Sequence, residues 1–135
     1  MNFQFIMIIF GIFVALDVIL IVIVMLIRSR KKFGTGDKVY FRKEWGKIQE
    51  LKDLRHAVVD SDKLLHIILV KKGYQGQLGE QLKKAEKLFS TPNDVWYAHK
   101  LRNRIAHELN LKITDFESMR AVQCFERAFK DLGAL

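Results

Sequence analysis

Hydrophobic residues are concentrated at the start of the chain. From Phe3 to Ile27 the only strongly polar residues are Gln4 and Asp17. This run of about 25 residues exceeds the roughly 20 that a helix needs to cross a bilayer. No Lys or Arg precedes it and no small-residue cleavage site ends it, so it differs from a cleavable signal peptide. The pattern predicts an uncleaved transmembrane anchor over residues 1–27.

Beyond the anchor, apolar residues recur at the spacing of helices. They predict one long first helix, which an irregularity around residues 60–62 could interrupt, and further helices over 80–89, 94–109 and 114–132. Thr114 and Glu117 fit a capping box at the start of the last one. We therefore expect an all-α protein: an N-terminal transmembrane helix followed by a bundle of four to five helices. The residues that define the long first helix are Trp45, Ile48, Leu51, Arg55, Val58, Leu65 and Leu69.

The junction between anchor and bundle is basic and then glycine-rich. Four cations, Arg28, Arg30, Lys31 and Lys32, follow the apolar run directly. We predict an anchor over 1–27, a basic juxtamembrane linker over 28–38 and a helical domain over 39–135. Positive residues beside a membrane span stay in the cytoplasm. The expected location is therefore the inner (cytoplasmic) membrane, crossed once, with the N-terminus outside and the domain in the cytoplasm.

Three residues of the anchor raise the question of self-association. Gly11 and Ala15 form a small-xxx-small pair, which lets two helices approach closely. Asp17 is costly in lipid and is by default a pairing or functional group. The alternative is that Asp17 is protonated and simply tolerated in a strongly apolar helix.

Charge and cysteine content limit the partners and the site chemistry that the sequence allows. The net charge of +8 includes the four cations beside the membrane, so it permits an RNA partner without demonstrating one. The single cysteine, Cys124, excludes an intrachain disulfide, and its place on an apolar helix face predicts an inert thiol. No metal or other cofactor is expected, since His56 and His66 lack the spacing of metal ligands. Trp45 and Trp96 are expected to serve packing.

The helix predicted over 94–109 has an unusual polar content. Leu101, Ile105 and Leu109 form its apolar stripe. Between them lie the side-chain types that bind phosphate and transfer protons near neutral pH. These candidate residues are His99, Arg102, Asn103, Arg104, His107 and Glu108.

The segment from Ala98 to Glu108 resembles the signature of the HEPN domain family, as found in its small bacterial members. The resemblance rests on Arg102-Asn103-x-x-x-His107 and on the order of helices between Trp45 and Leu132. It implies metal-independent RNA cleavage, in a cleft between two protomers, in stress or defence. Arg102 and His107 would then be the catalytic pair and Asn103 would orient them. Arg104, His99 and Glu108 are additional candidates for orienting or binding substrate.

General chemistry is compatible with these roles. A histidine can transfer the proton of the ribose 2′-OH, and a guanidinium can hold a phosphate whose charge grows. On an ideal helix Arg102 and His107 lie about 140° apart, which favours a symmetric homodimer that joins two motifs. The expected partners are the bilayer, through residues 3–27, a second copy, RNA, and an antitoxin or other regulatory protein.

Two other interpretations remain open at the level of sequence. The same fold could be a non-catalytic, membrane-tethered interaction or nucleotide-sensing module. The chain could also be a small membrane scaffold whose polar helix is only surface. In that case Arg104 and Glu108 would form an ordinary i, i+4 pair and His107 would pair locally.

Overall fold

The chain forms two compact units, Met1–Lys31 and Lys32–Leu135, in a computed structural model that describes residues 2–135 apart from the side chains of residues 28–30. The first unit is a single helix, α1, over Phe3–Arg30. Every side chain from residue 3 to residue 27 is exposed. The segment Phe3–Ile27 is long and apolar enough to cross a bilayer.

All regular secondary structure in the described part of the second unit is helical, which confirms the predicted all-α class. A 3₁₀ turn, Glu86–Leu88, follows the fourth helix. The helices are α2 (Thr35–Gln49), α3 (Leu54–Lys72), α4 (Leu78–Ala85), α5 (Pro92–His107) and α6 (Asp115–Asp131).

The long helix predicted from Trp45 to Leu69 is two helices, and the sequence pattern placed the interruption wrongly. The break lies between Gln49 and Leu54, whereas residues 60–62 are regular helix. Asp53 sets the new start because its carboxylate accepts hydrogen bonds from the backbone N–H groups of Arg55 and His56. A side chain that satisfies the first free N–H groups stabilises a helix start at that position.

Helix α3 lies at the centre of the bundle and packs against α2, α5 and α6. Leu65 and Phe129 are fully buried in the core, and the ring of Trp45 packs edge-on against Phe129 at 5.2 Å. Phe33 is also buried, against Phe41. The folded unit therefore includes part of the segment predicted as a linker, and α2 begins at Thr35.

Two local sequence features determine where α3 ends and where α6 begins. Gly73 ends α3 in the left-handed conformation, φ 102°, which glycine adopts without a steric penalty. The connector after it leads into α4, whose first turn faces α5 close to His99. The capping box is confirmed: the Thr114 hydroxyl accepts from the Glu117 N–H at 3.2 Å, and the Glu117 carboxylate accepts from the Thr114 N–H at 2.9 Å.

Candidate functional site

A polar groove of about 1070 Å³ lies between α3, α5 and the start of α4. Its lining combines three histidines with three permanent cations and two carboxylates. A groove of this composition suits an anionic ligand that also requires proton transfer. The lining residues are Asp62, Lys63, His66 and Ile67 from α3, Gln77, Leu78, Gly79, Glu80 and Lys83 from the start of α4, and Trp96, His99, Arg102, Asn103 and His107 from α5.

Four of these side chains form a closed polar ring. The Asp62 carboxylate lies 2.8 Å from the His99 Nδ1 and 3.2 Å from the Arg102 Nε. The His99 Nε2 is 3.3 Å from the Asn103 Nδ2, and the Arg102 Nη1 donates to the Asn103 Oδ1 at 3.1 Å. Each member therefore contacts two others, so that removal of any one leaves two partners unsatisfied.

The ring assigns the tautomer of His99. The Asn103 Oδ1 must face the Arg102 donor, so its Nδ2 faces His99. A neutral His99 therefore accepts at Nε2 and donates its Nδ1–H to Asp62. This proton placement follows from the hydrogen-bond partners of the two ring nitrogens.

Asp62 is the charged centre of the ring. Its side chain is only 6% exposed, against 12% for His99 and 27% for Arg102. A buried carboxylate requires a compensating charge, which Arg102 supplies. The Arg102 Nε is buried and lies within ion-pair distance of Asp62 without well-aligned hydrogen-bond geometry. The attraction at this contact is therefore mainly between charges.

A second histidine of the groove, His66, is also hydrogen-bonded to a buried side chain. The His66 Nδ1 lies 2.9 Å from the Gln81 Oε1. Gln81 is fully buried, and its Nε2 donates to the Tyr74 carbonyl at 2.9 Å. His66 therefore belongs to a hydrogen-bonded chain that reaches from the groove into the bundle.

The predicted pair Arg102 and His107 line the same groove, although five positions separate them on α5. Arg102 turns inward to Asp62, whereas His107 is the last residue of α5 and is exposed. Within the described part of the chain, His107 makes no side-chain hydrogen bond or ion pair. The structure thus brings together His99, Arg102, Asn103 and His107.

The other predicted site residues lie outside the groove. Arg104 and Glu108 form a surface ion pair at 3.1 Å, each about half exposed. Gly11, Ala15 and Asp17 are exposed on α1, in the other compact unit.

Trp96 contributes to both packing and the groove. It packs partly against the core, as expected, and its ring also meets the His99 ring edge-on at 6.0 Å. This contact limits the positions open to the His99 imidazole.

Sequence reasoning missed the residues that α3 and α4 contribute, above all Asp62 and His66. One signal for Asp62 was present. It lies in the apolar stripe that Val58, Leu65 and Leu69 define on α3, and all three are fully buried. An acidic residue in such a stripe requires a buried partner.

No protein-family model, no curated protein and no solved structure matches the chain. The fold and the groove define an all-helical bundle that carries a polar, histidine-rich groove. The functional assignment rests on the chemistry of that groove and on the motif in α5.

Proposed function

We propose that the protein is a membrane-anchored, HEPN-like endoribonuclease that needs no metal ion. The observation that supports this function best is the position of Arg102, His99 and His107 in a single groove. These side chains combine a phosphate-binding group with groups that transfer protons near neutral pH.

The groove offers what cleavage of a phosphodiester requires. The guanidinium of Arg102 can hold the non-bridging oxygens as negative charge develops. Lys63 and Lys83 add positive charge along the groove, which suits the backbone of RNA. RNA carries its own nucleophile in the 2′-OH, so a histidine that accepts its proton is sufficient for attack.

A second function has a specific observation in its favour. Arg102 is engaged by Asp62 and Asn103 before any ligand binds. A guanidinium held in this way can recognise phosphate without chemistry, as in a nucleotide-sensing or interaction module. We therefore carry a non-catalytic, membrane-tethered module as the alternative.

Cleavage of a labelled RNA by the full-length protein in detergent micelles tests the proposal. Wild type should produce 2′,3′-cyclic phosphate ends in the presence of EDTA. Arg102→Ala should lower the rate about 100-fold, the usual effect of removing a donor that stabilises a transition state. Arg104→Ala is the matched control, because Arg104 lies two residues away on the surface of the same helix.

The outcomes separate the two functions. Wild type that binds RNA or a nucleotide without cleaving it supports the non-catalytic module. Equal cleavage by wild type and Arg102→Ala contradicts the assignment of the groove. Circular dichroism of each variant confirms that the bundle is intact.

We further propose that α1 holds the bundle at the cytoplasmic face of the inner membrane and pairs two protomers. The four cations after Ile27 support this orientation, and Gly11, Ala15 and Asp17 support pairing in the bilayer. Confinement of two anchors to one membrane raises the local concentration of the domains. Protease should cut the domain in inside-out vesicles only, and Gly11→Leu should reduce cross-linking of the full chain.

Control by an antitoxin or another regulatory protein remains part of this proposal. A nuclease that is active in stress or defence requires a means of restraint. Co-purification of the full chain with a protein that suppresses RNA cleavage would identify such a regulator.

A further inference from the structure

Two histidines from different helices line the groove with their Nδ1 atoms held by buried side chains. We infer that His99 and His66 are the proton-transfer pair of the groove, in which His99 accepts the proton of the attacking hydroxyl and His66 protonates the leaving oxygen. The inference rests on the proposed RNA cleavage. It assigns the proton transfers to residues other than His107.

Among the described side chains, none bonds the Nε2 of His66, whereas the Nε2 of His99 receives a long hydrogen bond from the Asn103 Nδ2 at 3.3 Å, which the attacking hydroxyl replaces. The Gln81 Nε2 must face the Tyr74 carbonyl, so the Gln81 Oε1 faces His66. Because this oxygen can only accept, the His66 Nδ1 must carry a proton. The Asp62 carboxylate requires a proton on the Nδ1 of His99 in the same way. A histidine whose Nδ1–H is held by a fixed acceptor has its Nε2 oriented for proton transfer.

The surroundings of the two histidines differ in charge, which separates their roles. His99 lies beside a carboxylate, so the positive charge that it gains on accepting a proton is compensated by Asp62. His66 lies against the neutral amide of Gln81, so its protonated form has no anion bound at Nδ1. The first environment favours a general base, and the second favours release of a proton to a leaving group.

Both histidines lie near Asp62 in the groove. Asp62 and His66 lie four residues apart on α3, about 6 Å along the axis. His99 is bonded directly to Asp62 across the groove. In an in-line displacement the two bonded oxygens lie on opposite sides of phosphorus, so two nitrogens that bond to them stand on the order of 6–9 Å apart.

His107 lacks the features that these two histidines share. It lies at the exposed end of α5, and no described side chain bonds either of its ring nitrogens. Its tautomer is not set by the protein. It is therefore suited to contact a phosphate of the RNA backbone, with proton transfer left to His99 and His66.

The proposed step balances without a co-reactant. The His99 Nε2 takes the proton of the 2′-OH while the oxygen–phosphorus bond forms. The phosphorus–O5′ bond breaks, and the protonated His66 gives its Nε2 proton to that oxygen. The products are a 2′,3′-cyclic phosphate and a 5′-OH, and the two histidines then exchange one proton through water.

An RNA whose scissile 5′ oxygen is replaced by sulfur tests the two roles separately. A thiolate leaves without protonation, so loss of the general acid matters little for this substrate. The experiment compares wild type, His66→Gln and His99→Gln as full-length protein in detergent micelles, on the oxygen and sulfur substrates. His56→Gln is the control, because His56 is an exposed histidine of α3 that lies outside the groove.

We expect both groove variants to cleave the normal substrate about 100-fold more slowly than wild type. His66→Gln should regain nearly the wild-type rate on the sulfur substrate, whereas His99→Gln should remain slow on both. His56→Gln should match wild type throughout. A fluorescent RNA of the same sequence, in which the reacting ribose lacks its 2′-OH, should bind all four proteins equally.

Three results would overturn the inference. Wild-type rates for His66→Gln and His99→Gln would refute it while leaving the proposed nuclease intact. His107→Gln is assayed in parallel, and its recovery on the sulfur substrate in place of His66→Gln would assign the general acid to His107. Absence of cleavage by wild type on both substrates would refute the proposed function itself. If His99→Gln fails to bind the uncleavable RNA, a folded His99→Asn variant replaces it. Slow cleavage of both substrates by His99→Asn then supports the assignment, and cleavage by His99→Asn at the wild-type rate opposes it.

Discussion

Asp62 of α3 and His99 of α5 are joined by a 2.8 Å hydrogen bond although 37 positions separate them in the chain. The carboxylate is almost fully buried, and its second oxygen lies 3.2 Å from the Arg102 Nε. One acidic side chain therefore orients two of the residues that form the candidate site. We therefore expect Asp62 to matter both for stability and for the proposed activity.

Asp62→Asn should reduce both stability and RNA cleavage. The substitution removes the charge that compensates Arg102, and breaking a buried pair in this way costs about 3 kcal/mol in free energy of unfolding. It also removes the carboxylate that orients His99. Urea unfolding and RNA cleavage measure the two effects.

Asp60→Asn is the matched control for this change. Asp60 lies on the same helix but is more exposed, and it pairs with Lys63 and His56 at the surface. Its loss should change the free energy of unfolding by about 1 kcal/mol or less. If Asp60→Asn lost as much free energy of unfolding as Asp62→Asn, this result would contradict the special role of the buried Asp62 carboxylate.

Gly79→Ala should separate stability from activity. Gly79 lies in the first turn of α4, and a Cβ there would stand 3.8 Å from the His99 Nε2, an ordinary contact distance. Alanine in a helix should raise stability, by up to about 1 kcal/mol. The added methyl group occupies space beside the His99 Nε2, so cleavage should fall about tenfold or more.

Gly46→Ala provides the comparison for Gly79. Gly46 lies on α2, outside the groove, and a Cβ there meets no atom within 4 Å. It should gain similar stability and keep the wild-type cleavage rate. Unchanged cleavage in Gly79→Ala would indicate that the substrate does not approach this side of His99.

The capping box predicts a specific response to acid. The Thr114 backbone N–H, followed by its side-chain hydroxyl, lowers the pKa of Glu117. The charged form therefore stabilises α6 above the ordinary pKa of glutamate, and this contribution is lost as the pH falls through the lowered value. Glu117→Gln keeps an N3 capping group that does not titrate.

Thermal melting from neutral to acidic pH checks this prediction. The melting temperature of Glu117→Gln should fall less than that of wild type over the same interval. Thr114→Ala should lose about 1 kcal/mol of stability at neutral pH, because it removes the capping hydroxyl. An acid dependence in Glu117→Gln equal to that of wild type would contradict the role of Glu117.

Cys124 should report unfolding of the bundle. It is the single cysteine of the chain and is buried on α6. Burial raises the pKa of its thiol, with a smaller contribution from the charge of Asp94, so little thiolate is present at neutral pH. A thiol reagent should react with the native protein on the order of 100-fold or more slowly than with the denatured protein.

The experiment measures the rate at which the thiol reagent labels Cys124 at increasing concentrations of denaturant. The rate should rise in parallel with the loss of helical signal, because the thiol becomes accessible only when the bundle opens. Native labelling as fast as labelling in denaturant would show that α6 detaches locally.

Local signals accounted for much of the fold. The apolar run predicted α1, and the threonine–glutamate pair predicted the start of α6. Each depends on interactions between residues close in sequence. The break between α2 and α3 was misplaced at residues 60–62, although its cap is also local: the Asp53 carboxylate accepts from the backbone N–H groups of Arg55 and His56.

The sequence by itself determined the apolar N-terminal helix, the helical class and the polar motif of α5, since periodicity and local hydrogen bonding define all three. Only the tertiary structure decided which of the polar residues act together. It placed Asp62 behind His99 and Arg102, brought His66 into the same groove and left Arg104 and Glu108 at the surface. The physical reason is that these contacts join α3, α4 and α5 across the bundle. Their distances depend on how the helices pack, which spacing along one helix does not specify.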